Sequence, residues 1–372
     1  MAAHVAVPTA LSEAAPFSVL VTRRLPHSAM RILSTSGLCE VQQWDSDESM
    51  PHAELLSRAP GIHAILCLLS DYIDKEVLDA AGPNLKVIST LSVGYDHIAI
   101  EECKKRNIRV GNTPHVLTDA TAEITVALLL ATARRLFEAA AEVKSGGWST
   151  WKPMWMCGQG LSNSTVGIVG LGKIGCGVAE RLKPFGVKKF LYCGRHPKPD
   201  KADRLGADFV PLPTLLAESD FVVLCCSLTP ETAGMVNEDA FRKMKNSAIF
   251  INTSRGAMVD QDALYSALQE GQIAAAGLDV TTPEPLPTDH PLLSLKNCVC
   301  PRSPGERSRM TISLVALYFS DLSSLDALHV RFASLTLGHA GRIPVRARLE
   351  ADVPATNITK GNAQRAVRGE MH

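Results

Sequence analysis

The sequence predicts an α/β protein built from two doubly wound parallel sheets with a cleft between them. Two observations carry that expectation. From residue 17 onward, short β-branched or Leu-rich runs alternate with amphipathic stretches, the rhythm of βαβ units around a buried parallel sheet. One of those runs ends in a glycine turn that opens the next helical pattern, in the order such a fold requires. A length of 372 residues leaves room for two domains, each with a core of its own.

In the first set, strands are expected at residues 19–22, 63–69, 86–91 and 108–111, with helices between them such as 75–80 and 98–105. Thr118 then opens a long helical stretch to about Lys144. Asp119 and Glu123 sit near its positive end and Gly146-Gly147 follow its last turn, so it reads as a spine between the domains. A second alternating set places strands near 165–169, 190–193, 221–225, 248–251 and 273–278. These boundaries divide the chain into residues 17–114, 115–299 and an atypical tail, 300–372. From Pro301 on, the basic residues are nine Arg and one Lys, and no βα alternation can be followed.

Composition excludes several classes of protein. Hydrophobic residues make up 46% and charged residues 20%, enough apolar surface to offset the entropy of ordering the chain. Lys+Arg 38 against Asp+Glu 38 leaves no net cationic field for nucleic acid or an anionic membrane. The ten cysteines lack paired C-x-x-C spacing, so no zinc or other metal site is expected, and several sit in apolar runs as reduced thiols would. The N-terminus lacks a secretory signal, and the most apolar stretch, 124–133, is too short to span a bilayer. A soluble, cytoplasmic protein is expected.

The sharpest motif is Gly170-Leu171-Gly172-Lys173-Ile174-Gly175, between the run 165–169 and a helical pattern. The first glycine permits the turn, the second lets backbone approach a pyrophosphate, and the third lets helix pack on strand. The helix start supplies N–H groups to the anion. A dinucleotide site follows. After the next strand the chain reads Cys193-Gly194-Arg195-His196-Pro197-Lys198, with no acid to bind a ribose 2′-hydroxyl, so Arg195 favours NADP(H) over NAD(H).

Three further strand ends carry polar chemistry. Arg255, in Asn252-Thr253-Ser254-Arg255-Gly256, can hold a carboxylate with a two-pronged hydrogen bond and polarise the neighbouring carbonyl. Glu284, in Asp279-Val280-Thr281-Thr282-Pro283-Glu284-Pro285, is a carboxylate aimed by flanking prolines. Ser92-Val93-Gly94 offers bare backbone N–H groups to a small anion. Taken singly, each has a plainer reading: an ion pair, a surface acid, a loop.

Together these features resemble the D-isomer-specific 2-hydroxyacid dehydrogenases along residues 17–299. The resemblance rests on the stretch 85–94, Gly146-Gly147-Trp148 with Trp151-Lys152-Pro153, residues 165–172, residues 251–256, and Ala276-Gly277-Leu278-Asp279-Val280 with Pro283-Glu284-Pro285. It implies two Rossmann-like domains and NADPH-dependent reduction of small 2-oxo acids, hydroxypyruvate to D-glycerate and glyoxylate to glycolate. Val93 and Gly94 would receive the substrate carboxylate, and Arg255 would bind carboxylate and carbonyl. Gly170, Gly172, Lys173, Ile174, Gly175, Arg195, His196, Ser227, Thr253 and Asp279 would line the cofactor. Glu284 would orient a general-acid histidine. The resemblance and the exposed apolar character of residues 118–144 and 148–155 imply a homodimer in which Trp151 reaches the partner's site and limits substrate size.

In that family the histidine belongs to a P-H-I-G-[SA] motif some twenty residues beyond the glutamate. Here the corresponding stretch reads Pro301-Arg302-Ser303-Pro304-Gly305-Glu306, with Ser303 near the histidine's place. The break continues to the C-terminus and reads as a change of frame in an alternative transcript or gene model. His329 and His339 lack the motif's setting, and His290 belongs to a helix start. The competing expectation is therefore a catalytically impaired chain that binds NADP or dimerises.

Overall fold

The computed structural model describes residues 17–35, 39–114 and 116–301. Ser303, His329, His339, residue 115 at the expected domain boundary and the rest of the tail lie outside these residues.

The first lobe is a parallel sheet in the order Cys39–Gln43 (β2), Phe17–Val21 (β1), Ala64–Cys67 (β3), Val87–Thr90 (β4) and Arg109–Gly111 (β5). Its crossovers carry α1 (His27–Thr35), α2 (His52–Arg58), α3 (Lys75–Ala81) and α4 (Ile100–Lys105). Leu20, Ile65 and Ile88 form its core with Val77 and Leu78 of α3. Asp74 caps α3 by accepting from Val77 N at 3.0 Å.

The second lobe begins with α5 (Thr118–Ala133) and α6 (Leu136–Ser145). Its sheet holds Thr165–Val169 (β6), Lys189–Cys193 (β7), Ala207–Phe209 (β8), Phe221–Leu224 (β9), Ile249–Asn252 (β10), Ala275–Leu278 (β11) and Cys298–Val299 (β12). The order across it is β12-β11-β10-β9-β6-β7-β8, and every pair is parallel. The connections carry α7 (Lys173–Leu182), α8 (Pro199–Leu205), α9 (Leu212–Glu218), α10 (Glu238–Lys243) and α11 (Gln261–Gln269). All four residues of β9 and of β10 are buried, because helices cover both faces. The strand order turns back between β6 and β9, which sets a crevice at their carboxyl ends. Both sheets lie in one compact unit.

Four features differ from expectation. The single helix expected over 118–144 is two helices, broken where Arg135 takes a left-handed conformation (φ 54°). The carbonyl of Ala133 is captured by Gln159 N at 2.9 Å, and Gly158 packs so tightly there that a Cβ would lie 2.3 Å from that oxygen. A distant loop therefore ends the helix. The edge strands β2 and β8 were not expected, because their residues are partly exposed and give no sustained apolar run. The closing strand β12 has only two residues.

Candidate active site

The glycine turn follows β6 as its motif requires. Gly170 has φ 101°, and a Cβ there would meet the Cys226 backbone at 2.8 Å; one on Gly175 would lie 2.4 Å from Gly170 O. At Gly172 nothing stands within 4 Å, so that face is open to an approaching group. Gly172 begins α7, and no side chain caps the helix. Open space, bare N–H groups and the positive end of a ten-residue helix fit a pyrophosphate. Ile174 packs partly buried behind the turn.

Beyond β7, Arg195 and His196 are exposed. Sequence reasoning passed over Lys198, whose Nζ donates to Leu171 O within the glycine turn at 3.1 Å and whose backbone N donates to Tyr192 Oη at 2.8 Å. Partial burial lowers the Lys198 pKa, and the charges of Lys201 and Arg195 add to the effect. These cations stand together at the edge of the turn. The available signal was a cation three residues after Arg195. Ser227, also exposed, follows β9 beside Cys226. Thr253 is buried, its hydroxyl 2.7 Å from that of Thr125 on α5.

Three strand-end loops carry the other polar residues singled out in the sequence. In the first, Thr90 Oγ1 lies 2.8 Å from Ser92 Oγ, which donates to Gly94 O at 2.6 Å, and Asn112 Nδ2 donates to Val93 O at 2.7 Å. This network fixes the backbone of Val93 and Gly94. In the second, Asn252 Nδ2 donates to Arg255 O at 2.9 Å, while Ser254 donates from N to Asn252 Oδ1 and from Oγ to Leu224 O, both at 3.0 Å. In the third, Gln261 of α11 clamps Thr282, donating to its carbonyl at 2.6 Å and accepting from its N at 2.8 Å. Gly256 lets the second and third loops touch: a Cβ there would lie 2.1 Å from the Thr281 carbonyl.

Arg255 reaches across to the first lobe. Its Nη2 stands 1.8 Å from where a Cβ on Gly94 would be, so a side chain at that position would displace the guanidinium. Asp96 pairs with it, a contact that sequence reasoning missed. Glu284 is exposed. Desolvation by the protein behind it raises its pKa, the charge of Asp279 raises it further, and Arg255 opposes. Asp279 is itself buried, and its N donates to Asn252 O at 2.9 Å. Among the described residues no histidine is hydrogen-bonded to Glu284; His290 instead accepts from Leu292 N and caps a short 3₁₀ turn. Trp151 projects from the surface, 82% exposed. A separate groove of about 380 Å³ lies at the opposite, amino ends of β10 and β11, lined by Ile249 and Ala275.

A glycine turn at the crevice of one doubly wound sheet, facing an arginine pressed against the loop of a second, defines a dinucleotide-binding oxidoreductase. Residues 126–301 match the model of the D-isomer specific 2-hydroxyacid dehydrogenase NAD-binding domain. Over 301 residues the chain is 61% identical to glyoxylate reductase/hydroxypyruvate reductase of Homo sapiens, covering 80% of this chain and 92% of that one. It is 46% identical over 285 residues to glyoxylate reductase of Thermococcus litoralis, covering 76% and 85%. Among solved structures, the TT0316 protein of Thermus thermophilus superposes with a TM-score of 0.76 at 44% identity, covering 84% of this chain and 97% of that one. The NADPH-dependent glyoxylate/hydroxypyruvate reductase of Sinorhizobium meliloti, in complex with NADP and malonate, superposes with a TM-score of 0.71 at 28% identity, covering 82% and 92%. The chain belongs to the D-isomer-specific 2-hydroxyacid dehydrogenase family, whose members bind NAD(P).

Proposed function

We propose that this chain uses NADPH to reduce hydroxypyruvate to D-glycerate and glyoxylate to glycolate. The observation that carries the reading is Arg255 seated against the space left by Gly94, between the glycine turn and the Glu284 loop. Val93 and Gly94 donate backbone N–H groups to the substrate carboxylate. Arg255 holds carboxylate and carbonyl and stabilises the charge that develops on the carbonyl oxygen. When bound, the nicotinamide would supply hydride to the carbonyl carbon. Gly170, Gly172, Lys173, Ile174, Gly175, Arg195, His196, Ser227, Thr253 and Asp279 line its site. The oxygen must also gain a proton; without the motif's histidine water provides it, joined by Glu284 as pH falls and its acid form is populated. NADPH oxidation by the purified chain on addition of hydroxypyruvate tests the reading; no oxidation above background would refute it. Family membership supports it over a silent dinucleotide-binding chain.

Residues 17–114 form the substrate domain and 115–299 the cofactor domain in this reading. NADPH is preferred through Arg195, with Lys198 beside it. Replacing Arg195 by Asp is expected to weaken NADPH binding far more than NADH binding, because like charge then faces the 2′-phosphate. Fluorescence titration checks this, and equal losses would leave Arg195 a structural residue only.

The chain acts as a homodimer in this proposal. Leu136, Phe137 and Val143 on α6 are each more than half exposed, and Trp148, Trp151 and Met154 continue that apolar surface. Trp151 extends to the partner's site and limits substrate size. Sedimentation at micromolar concentration is expected to show a dimer. All ten cysteines are free and no helix among the described residues is long and apolar enough to cross a membrane, which supports a cytoplasmic location.

A further inference from the structure

Arg255 and Asp96 meet across the cleft although 159 residues separate them. Asp96 belongs to the loop that follows β4 in the first lobe, and Arg255 to the loop that follows β10 in the second. Both loops are braced by contacts other than the pair itself. On the first side, His97 is buried beside Asp96 with its Nε2 3.0 Å from Thr90 Oγ1, and Ile98 N donates to Tyr95 O at 3.1 Å. On the second side, Asn252 and Ser254 pin the Arg255 backbone as described above.

The contacts divide the guanidinium between two tasks. Nε donates toward both oxygens of Asp96 at 3.2 Å each, and Nη2 lies 3.1 Å from Oδ1. Nη1 donates to Ser254 O at 2.8 Å. Of the five N–H donors of an arginine, the one on Nε is hydrogen-bonded to Asp96 and one on Nη1 to Ser254 O, while Nη2 stands in ion-pair contact with Asp96. Nη1 and Nη2 keep N–H groups for the end fork that grips a carboxylate or a carbonyl. The same Nη2 is the atom pressed against Gly94.

We propose that Asp96 is a positioning residue for the 2-oxo acid: it holds the side edge of the Arg255 guanidinium so that the end fork faces the Gly94 backbone. The proposal rests on the reading of Arg255 as the substrate's carboxylate and carbonyl ligand. Without Asp96 the arginine keeps its charge but loses its orientation. An arginine carries several rotatable bonds, and ordering it must then be done at the expense of substrate binding.

The test uses the full chain saturated with NADPH and titrated calorimetrically with oxamate, an unreactive compound with a carboxylate next to a carbonyl. Asp96→Ala is expected to weaken oxamate binding by about ten- to a hundredfold, the range a small misplacement of a binding group produces. Asp96→Asn, which keeps the side chain's volume, is expected to fall between it and the unaltered chain, and Asp96→Glu to recover most of the affinity. NADPH affinity is expected to stay unchanged in all three, which separates positioning from a general loss of structure. Undiminished or tighter oxamate binding by Asp96→Ala, with Arg255→Gln binding poorly, would overturn the proposal and leave the role of Arg255 intact. If Arg255→Gln also binds oxamate normally, the underlying reading fails and this proposal with it.

Discussion

Hydroxypyruvate reduction by this chain is expected to run at least about a hundredfold more slowly than in a relative that carries the histidine of the P-H-I-G-[SA] motif, the lower edge of what a positioned general acid contributes. Hydride transfer depends on holding the carbonyl carbon near the nicotinamide, and the groups proposed to do so, Val93, Gly94 and Arg255, are present. Protonation of the oxygen is the step left without its donor. A guanidinium does not give up a proton in proteins. Glu284 is held protonated to higher pH than an ordinary glutamic acid, by desolvation first and by Asp279 second. Its acid form is therefore populated below that raised pKa and lost as pH rises through it. The slow reaction is accordingly expected to speed up as pH falls toward the acid side, and Glu284→Gln, which has no proton to give, is expected to flatten that limb. Steady-state rates of NADPH oxidation across pH check both statements. Turnover equal to that of the relative would mean that another group, residues 302–372 included, supplies the proton.

Replacing Arg255 by glutamine is expected to lower kcat/KM for hydroxypyruvate by about 10² to 10³, the cost of removing one preorganised donor from a developing oxyanion. In the proposed role the guanidinium acts twice, on the carboxylate in the ground state and on the oxygen in the transition state, so both KM and kcat are expected to change. NADPH binding is expected to survive, because the glycine turn and the Arg195 edge stand on other loops. Kinetics with a parallel fluorescence titration separate the two. Unchanged kcat/KM would remove Arg255 from the mechanism, and an equal loss of NADPH affinity would make it a residue of the fold.

The residues that were legible in the sequence act through local geometry. Gly170, Gly172 and Gly175 declare a strand, a turn and a helix start within six positions, and the structure has Gly170 at positive φ in the turn and Gly175 packed on the strand below. Strands such as β9 and β10 announced themselves because both faces are buried, which forces an uninterrupted apolar run. The arginine and the glutamate stood out because they follow such strands, where a doubly wound sheet exposes its ends. The absence of the motif's histidine is likewise a fact of sequence alone.

What the tertiary structure decided are the relations between segments far apart in the chain. Nothing in residues 118–144 foretells a break at Arg135, because the cause is a loop some twenty residues on that takes the Ala133 carbonyl for itself. Gly256 looks like any loop glycine until Thr281 is placed against it, and Gly94 until Arg255 fills the space a side chain would occupy. Lys198 reads as one more surface lysine before its Nζ is seen on the glycine turn. Asp96 gives no signal at all within its own stretch. Periodicity and turn chemistry report which face of an element is buried and where the chain can bend, since those are properties of neighbouring residues. Which carboxylate meets which arginine depends on how two separately wound sheets come to rest against each other, and that geometry is set by packing across the whole molecule.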